Sequence, residues 1–323
     1  MRALKRSAQA VLRAMIGRRW FRNLTAYHHY HDVIRWGERV LELREDQNAL
    51  DEEFWAARLR KFAHILDKGL QREDCEAGHS QQWYRAAKAA LAKLHSPEVR
   101  QDPSVVWARH KVQEFERRQT EIGLFEPPPL EQAEVSYEQL WNLVRSRRSA
   151  RKYSGRPVLD EDLRRIIEVV SWSPSSCNRQ PAMVFATNDR TLVEKCMSTC
   201  AGATCFSGMA SAFFCFCADV RVYEMPHEVM LPYVDIGLGV QNCALAAHCL
   251  GVSLTMLTWA QHASEDDLKL RRLLQIPDYC LIVVNAVGGY PDGGTEVPAR
   301  KRFEATGFLR GERVGGTSTE DHR

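Results

Sequence analysis

Ser211-Ala212-Phe213-Phe214-Cys215-Phe216-Cys217-Ala218 is an uncharged run, rich in aromatic side chains and too short for an ordinary globular helix. It reads as a β-strand in an apolar setting. Working outward, a helix is expected at Arg190–Cys200 and a short strand at Met183–Ala186 on the N-terminal side. On the other side follow a long helix Leu231–Leu250, a strand Ser253–Leu257, a helix Ser264–Leu274 and a strand Tyr279–Val287. Strands alternating with helices in this way build a sheet covered by helices, an α/β or α+β sandwich.

Upstream of this series, Tyr137–Arg147 and Asp160–Trp172 read as helices. The second opens on Asp160, Glu161 and Asp162, where negative charge suits the positive end of the helix dipole. Pro127-Pro128-Pro129 cannot continue a helix and marks the best boundary, dividing a helical extension (1–135) from a second domain (136–310) and a polar tail (311–323) expected to be disordered. Within the extension, residues 32–118 are charge-rich, with helical apolar recurrence at Phe54, Trp55, Leu59, Phe62, Ile65 and Leu66 and breaks near Gly78 and Pro97. Trp55, Phe62, Trp83, Tyr84 and Trp107 are read as its core. The first residues carry Arg2, Lys5, Arg6, Arg13, Arg18, Arg19 and Arg22 with no acid before Asp32. That pattern suits an interfacial helix on anionic lipid, a weak membrane-surface contact. The favoured alternative is a helix docked on the body with a solvated basic face.

The 44 basic and 41 acidic residues leave a formal charge of +3, so bulk nucleic-acid binding is not indicated. No run reaches the roughly 18 apolar residues of a membrane span. The ten cysteines lack Cys-x-x-Cys pairing and sit mostly in apolar runs, as reduced structural thiols of a cytoplasmic protein do. His28, His29 and His31 have no acidic or thiol partner in register and read as surface histidines; His248 reads as a hydrogen-bonded core residue. Gly237 and Gly239 read as small residues for close helix packing.

Three segments have the chemistry of a binding site. Arg147-Arg148-Ser149-Ala150-Arg151 packs guanidiniums and a hydroxyl tightly enough to embrace a phosphate, although a solvated helix end has the same composition. Ser173-Pro174-Ser175-Ser176-Cys177-Asn178-Arg179-Gln180-Pro181 lies between a helix and a strand and offers hydroxyls, amides and backbone N–H groups in a proline-bracketed turn. Arg300-Lys301-Arg302 forms a second basic cluster beyond Gly289-Tyr290-Pro291.

In order along the chain, Arg-Arg-Ser-x-Arg, Pro-Ser-Ser-x-Asn-x-Gln-Pro, the helix Asp235-Ile236-Gly237-Leu238-Gly239-Val240-Gln241-Asn242, Leu274-Gln275-Ile276-Pro277 and a strand ending Gly-Tyr-Pro followed by a basic pair resemble the nitroreductase family. The resemblance covers about Tyr137–Arg310. It implies an α+β fold, a central sheet wrapped by helices, in an intertwined homodimer with FMN at the subunit interface. Arg147, Arg148, Ser149 and Arg151 are then expected on the FMN phosphate and ribityl chain. Pro174, Ser175, Ser176 and Asn178 are expected along the isoalloxazine, with Gln180 nearby. Main-chain groups around Met256, Leu257 and Thr258 are expected at the flavin's reactive edge, and Arg300, helped by Lys301 or Arg302, at the phosphate. NADPH or NADH supplies a hydride in such enzymes, and a small acceptor (a nitroaromatic, quinone or activated alkene) takes the electrons through the same flavin face.

The chain departs from the family pattern in three places. Ala182 stands where many members have Trp, Pro298 where some have a phosphate-binding Lys, and the helical extension is absent from compact members. Two other functions stay open on this reading: a biosynthetic flavoenzyme acting on a sugar or peptide intermediate, with the extension as substrate wall, and a non-catalytic dimeric adaptor tethered by its basic N-terminus.

Overall fold

The computed structural model describes residues 50–72, 80–120, 129, 131–206, 209–224, 226–257, 259, 264–293, 308–309 and 313–314. The chain divides into two units, Met1–Asp292 and Gly293–Arg323. In the second unit Phe308–Leu309 pairs antiparallel with Arg313–Val314, so the expected tail contains a short paired segment.

The extension supplies α1 (Glu52–Leu70), α2 (Gln81–Leu91), α3 (Pro97–Gln101) and α4 (Pro103–Thr120). Asp51 caps α1 by accepting from the amide of Phe54 at 2.9 Å, and Glu52 and Glu53 complement its dipole. Leu59, Phe62, Leu66, Val105, Val112 and Phe115 close a core between α1 and α4. Trp55, Trp83, Tyr84 and Trp107 pack against this core only partly buried, so of the expected core aromatics Phe62 alone is fully enclosed.

The body comprises α5 (Tyr137–Ser146), α6 (Asp160–Glu168) with a 3-10 turn Val169–Trp172, β1 (Ala182–Thr187), α7 (Arg190–Met197), β2 (Ala212–Asp219), α8 (Leu231–Cys249), β3 (Ser253–Leu257), α9 (Ser264–Leu274) and β4 (Cys280–Gly289). The sheet order is β1-β2-β4-β3 with every pair antiparallel. Strand β2 is buried along its whole length because its alternating side chains enter two separate cores. Phe213, Cys215 and Cys217 face a layer with Val193, Cys196 and Leu270; Phe214 and Phe216 face one with Ile166, Ile236 and Val240. Helices therefore cover both faces, which is the α+β architecture.

Helix α8 is long and apolar enough by length and composition to cross a membrane, but here one side of it lies on the sheet. Its close approach to the 3-10 turn requires Gly239: a Cβ there would lie 2.5 Å from Val170 Cγ2 and 3.2 Å from Ser173 Oγ. Gly237 meets nothing within 4 Å, so close packing is the role of only one of the two glycines.

Candidate functional site

Where α5 ends, Arg147–Tyr153 runs beside the edge strand β3 without joining the sheet. Ser253 Oγ accepts from the amide of Ala150 at 2.9 Å and donates to the carbonyl of Arg148 at 2.8 Å. Thr255 Oγ1 donates to the carbonyl of Ala150 at 2.7 Å and accepts from the Tyr153 hydroxyl at 3.1 Å. Two β3 side chains thus satisfy backbone groups that a further strand would otherwise have paired. The Tyr153 ring is buried against Gly289, where a Cβ would lie 2.9 Å from its Cδ1. Further along, Ser154 N donates to Tyr290 O at 2.9 Å and Asp292 N to Lys152 O at 3.0 Å.

This strap fixes the basic cluster. Arg148 Nη1 donates to the carbonyls of Arg145 and Arg147, while its Nε is buried with no hydrogen-bond partner. Arg147 and Ser149 are half-buried and Arg151 is exposed. His248, in the last turn of α8, sits 2.8 Å from Ser146 Oγ through Nε2. Burial first, then the charges of Arg147 and Arg148, hold the His248 pKa below the usual imidazole value. The cluster is therefore a local positive field at the C-terminal end of α8, with a buried N–H left over.

The proline-bracketed turn is held at the other end of that helix. Asp235 Oδ1 accepts from both the amide (3.0 Å) and the hydroxyl (2.8 Å) of Ser176, and its Oδ2 accepts from the Tyr223 hydroxyl at 2.7 Å. Gln180 N donates to Ser175 Oγ at 3.0 Å, and Gln180 Nε2 donates to Asn178 Oδ1 at 3.1 Å. Cys177, Asn178 and Gln180 adopt φ of 54°, 54° and 53°, in the left-handed region that side chains disfavour. Their neighbours over-determine a strained shape, as is common where a turn binds something. Pro174 and Cys177 are exposed. Arg179 is 2% exposed and pairs with Glu228 at 2.5 Å, its guanidinium lying over the Tyr223 ring.

In a single chain, then, the basic strap and the serine–asparagine turn do not converge. About 20 Å of helix axis separates Asp235 from His248 at 1.5 Å rise per residue. Met256 is half-buried on the face of the sheet covered by α8, and the side chain of Leu257 lies in the opposite core. Thr258, Arg300, Lys301 and Arg302, like the helix expected in the basic N-terminal segment and His28, His29 and His31, lie outside the described residues. Among the described residues no cluster of His, Cys, Asp or Glu is arranged to hold a metal.

Neither Asp235 nor the β3 residues Ser253 and Thr255 are marked by the sequence as parts of a site. A carboxylate in an otherwise apolar helix was the available signal for Asp235, since a buried acid needs a partner. The buried cysteines behave as apolar groups: burial pushes the thiols of Cys196 and Cys200 up to about 12 and about 11. Cys177 and Cys249 are exposed and the other cysteines whose side chains are described are buried, in keeping with thiols placed mostly in apolar runs.

Residues 144–203 match the family model described as the nitroreductase family. An Archaeoglobus fulgidus protein named "Putative NADH dehydrogenase/NAD(P)H nitroreductase" is 33% identical over 158 residues, covering 48% of this chain and 86% of that protein. The FMN reductase (NAD(P)H) of Bacillus subtilis is 29% identical over 159 residues, covering 45% of this chain and 62% of the relative. Among solved structures, that of B. megaterium NfrA1 aligns with 51% of this chain and 71% of its own at 23% identity and a TM-score of 0.46. The strap and the turn both fall in the segment aligned by family, and the chain belongs to the nitroreductase family.

Proposed function

We propose that the protein is an FMN-dependent oxidoreductase that takes a hydride from NADPH or NADH and passes electrons to a small acceptor such as a nitroaromatic, quinone or activated alkene. The observation that carries this reading is the strap: Ser253 and Thr255 hold the main chain at Arg148 and Ala150, and from that segment extend the guanidiniums of Arg147, Arg148 and Arg151 and the hydroxyl of Ser149. These donors suit a phosphate monoester, and the orphaned Arg148 Nε is a buried donor in want of an acceptor. Bound FMN supplies the hydride chemistry; the protein supplies orientation and electrostatics. Pro174, Ser175, Ser176, Asn178 and Gln180 would line the ring. Ser176 acts through Asp235 to shape the turn, whereas Ser175, whose oxygen only accepts, keeps its proton available. Met256, Leu257 and Thr258 are assigned to the main-chain contacts, and Arg300, Lys301 and Arg302 to the second grip on phosphate.

One cofactor meets both strap and turn if two copies pair. Helix α5 is apolar at Tyr137, Leu140, Trp141 and Val144, a helical stripe, yet buries none of its residues. Val234 and Leu238 on the outer side of α8 are likewise exposed. An apolar face of this extent on a single chain suits a homodimer interface.

The purified protein is expected to be yellow and to be bleached by NADPH or NADH without oxygen, with colour restored by an acceptor. A colourless preparation that takes up no FMN would refute the reading.

A further inference from the structure

The extension reaches the strained turn directly. Arg60, on α1 and only 7% exposed, donates to the carbonyl oxygen of Arg179 through Nε at 3.4 Å and Nη2 at 3.2 Å. Its Nη1 donates to Ser104 Oγ at 3.3 Å on α4, so the guanidinium spans from the helical extension to the turn. The carbonyl it grips lies between Asn178 and Gln180, both left-handed. On the turn's other side, the Arg179 guanidinium donates to the carbonyl of Ser176 at 3.3 Å and is balanced by Glu228. Burial disfavours the charge on Arg60, with Glu53, Asp102 and Asp219 offsetting that penalty, so a buried cation is kept where an apolar residue would pack without the cost.

We infer that Arg60 is a positioning residue for the flavin ring: the extension, through this one side chain, holds Asn178 and Gln180 in the left-handed conformation in which they meet the isoalloxazine. The inference rests on the reading of the turn as the ring-contacting element. It gives the extension a part in the reaction site without placing any of its residues on the substrate. Helix α1 docks on the body elsewhere through different groups, with Arg58 and Lys61 on Glu224 and Asp51 on Arg221. Docking therefore has anchors besides Arg60.

Full-length Arg60→Met and Arg60→Lys test the inference, with Arg58→Ala as a docking control. Fluorescence titration gives the Kd of each for FMN and for riboflavin, and thermal melting is followed in parallel. Loss of the fork should weaken both ligands by the same factor, roughly tenfold for one charge-assisted contact, because only the ring end is disturbed. Arg60→Lys should fall between Met and wild type, while Arg58→Ala should lower the melting temperature and keep both Kd values. Should Arg60→Met fail to fold, Arg60→Lys carries the comparison. A folded Arg60 variant that melts lower but binds riboflavin like wild type would overturn the inference. If wild-type protein binds neither flavin, the reading beneath it fails, and the inference falls with it.

Discussion

Ser253 and Ala150 are joined at 2.9 Å by a hydrogen bond from the Ala150 amide to the serine hydroxyl oxygen, 103 residues apart in sequence. The same hydroxyl donates to Arg148 O, so one small side chain fixes the peptide segment that presents the basic cluster. Ser253→Ala leaves the buried Ala150 N–H without an acceptor and should cost about 1–3 kcal/mol in chemical denaturation. The variant should also bind FMN more weakly while binding riboflavin unchanged, since only the phosphate end is loosened.

Glu228 is the counter-charge of the enclosed Arg179. Replacing it by Gln leaves a guanidinium buried without its ion, and loss of one partner of such a pair costs about 3–5 kcal/mol. The denaturant midpoint of Glu228→Gln should drop accordingly; an unchanged midpoint would show that the pair is solvated in solution.

His248 reports on the positive field. Its folded pKa is depressed by burial and by Arg147 and Arg148, so the unfolded chain binds the proton more readily. The sign follows: this contribution to stability is present above the ordinary imidazole pKa of about 6.5 and is lost as pH falls below it through the depressed folded value. His248→Gln should flatten the decline in melting temperature just below that pH. Bound phosphate beside the same arginines should raise the His248 pKa, measurable by NMR titration with and without FMN.

Trp141 and Leu238 stand 52% and 44% exposed on the face assigned to the second subunit. Trp141→Glu and Leu238→Glu should shift the sedimentation profile from dimer to monomer and weaken flavin binding together. Dimers that persist in both variants would move the interface elsewhere.

Much of the body was legible in the sequence because its signals are local. The nine helices and strands from α5 to β4 fall within a few residues of their expected bounds, with Asp160–Trp172 ending as a 3-10 turn rather than as continuous helix. Gly239 is readable as a packing residue, though only its contact with Val170 and Ser173 separates it from Gly237. The site was legible as composition and not as wiring. Ser176 looks like a ligand-facing hydroxyl until Asp235, 59 residues away, is seen to hold it. Arg60 and Arg179 O lie 119 residues apart, and no periodicity links a helix of the extension to a turn of the body. The alignment of strap and turn at opposite ends of α8 is likewise a property of packing, which motif spacing does not encode.

If the strap grips a phosphate, FMN and riboflavin should part company on wild type and on Arg147→Ala/Arg151→Ala. Wild type should prefer FMN, and the double variant should lose roughly a hundredfold in FMN affinity, the scale of two charge-assisted hydrogen bonds, with riboflavin affinity unchanged. A double variant that still binds FMN as tightly as wild type would contradict the account.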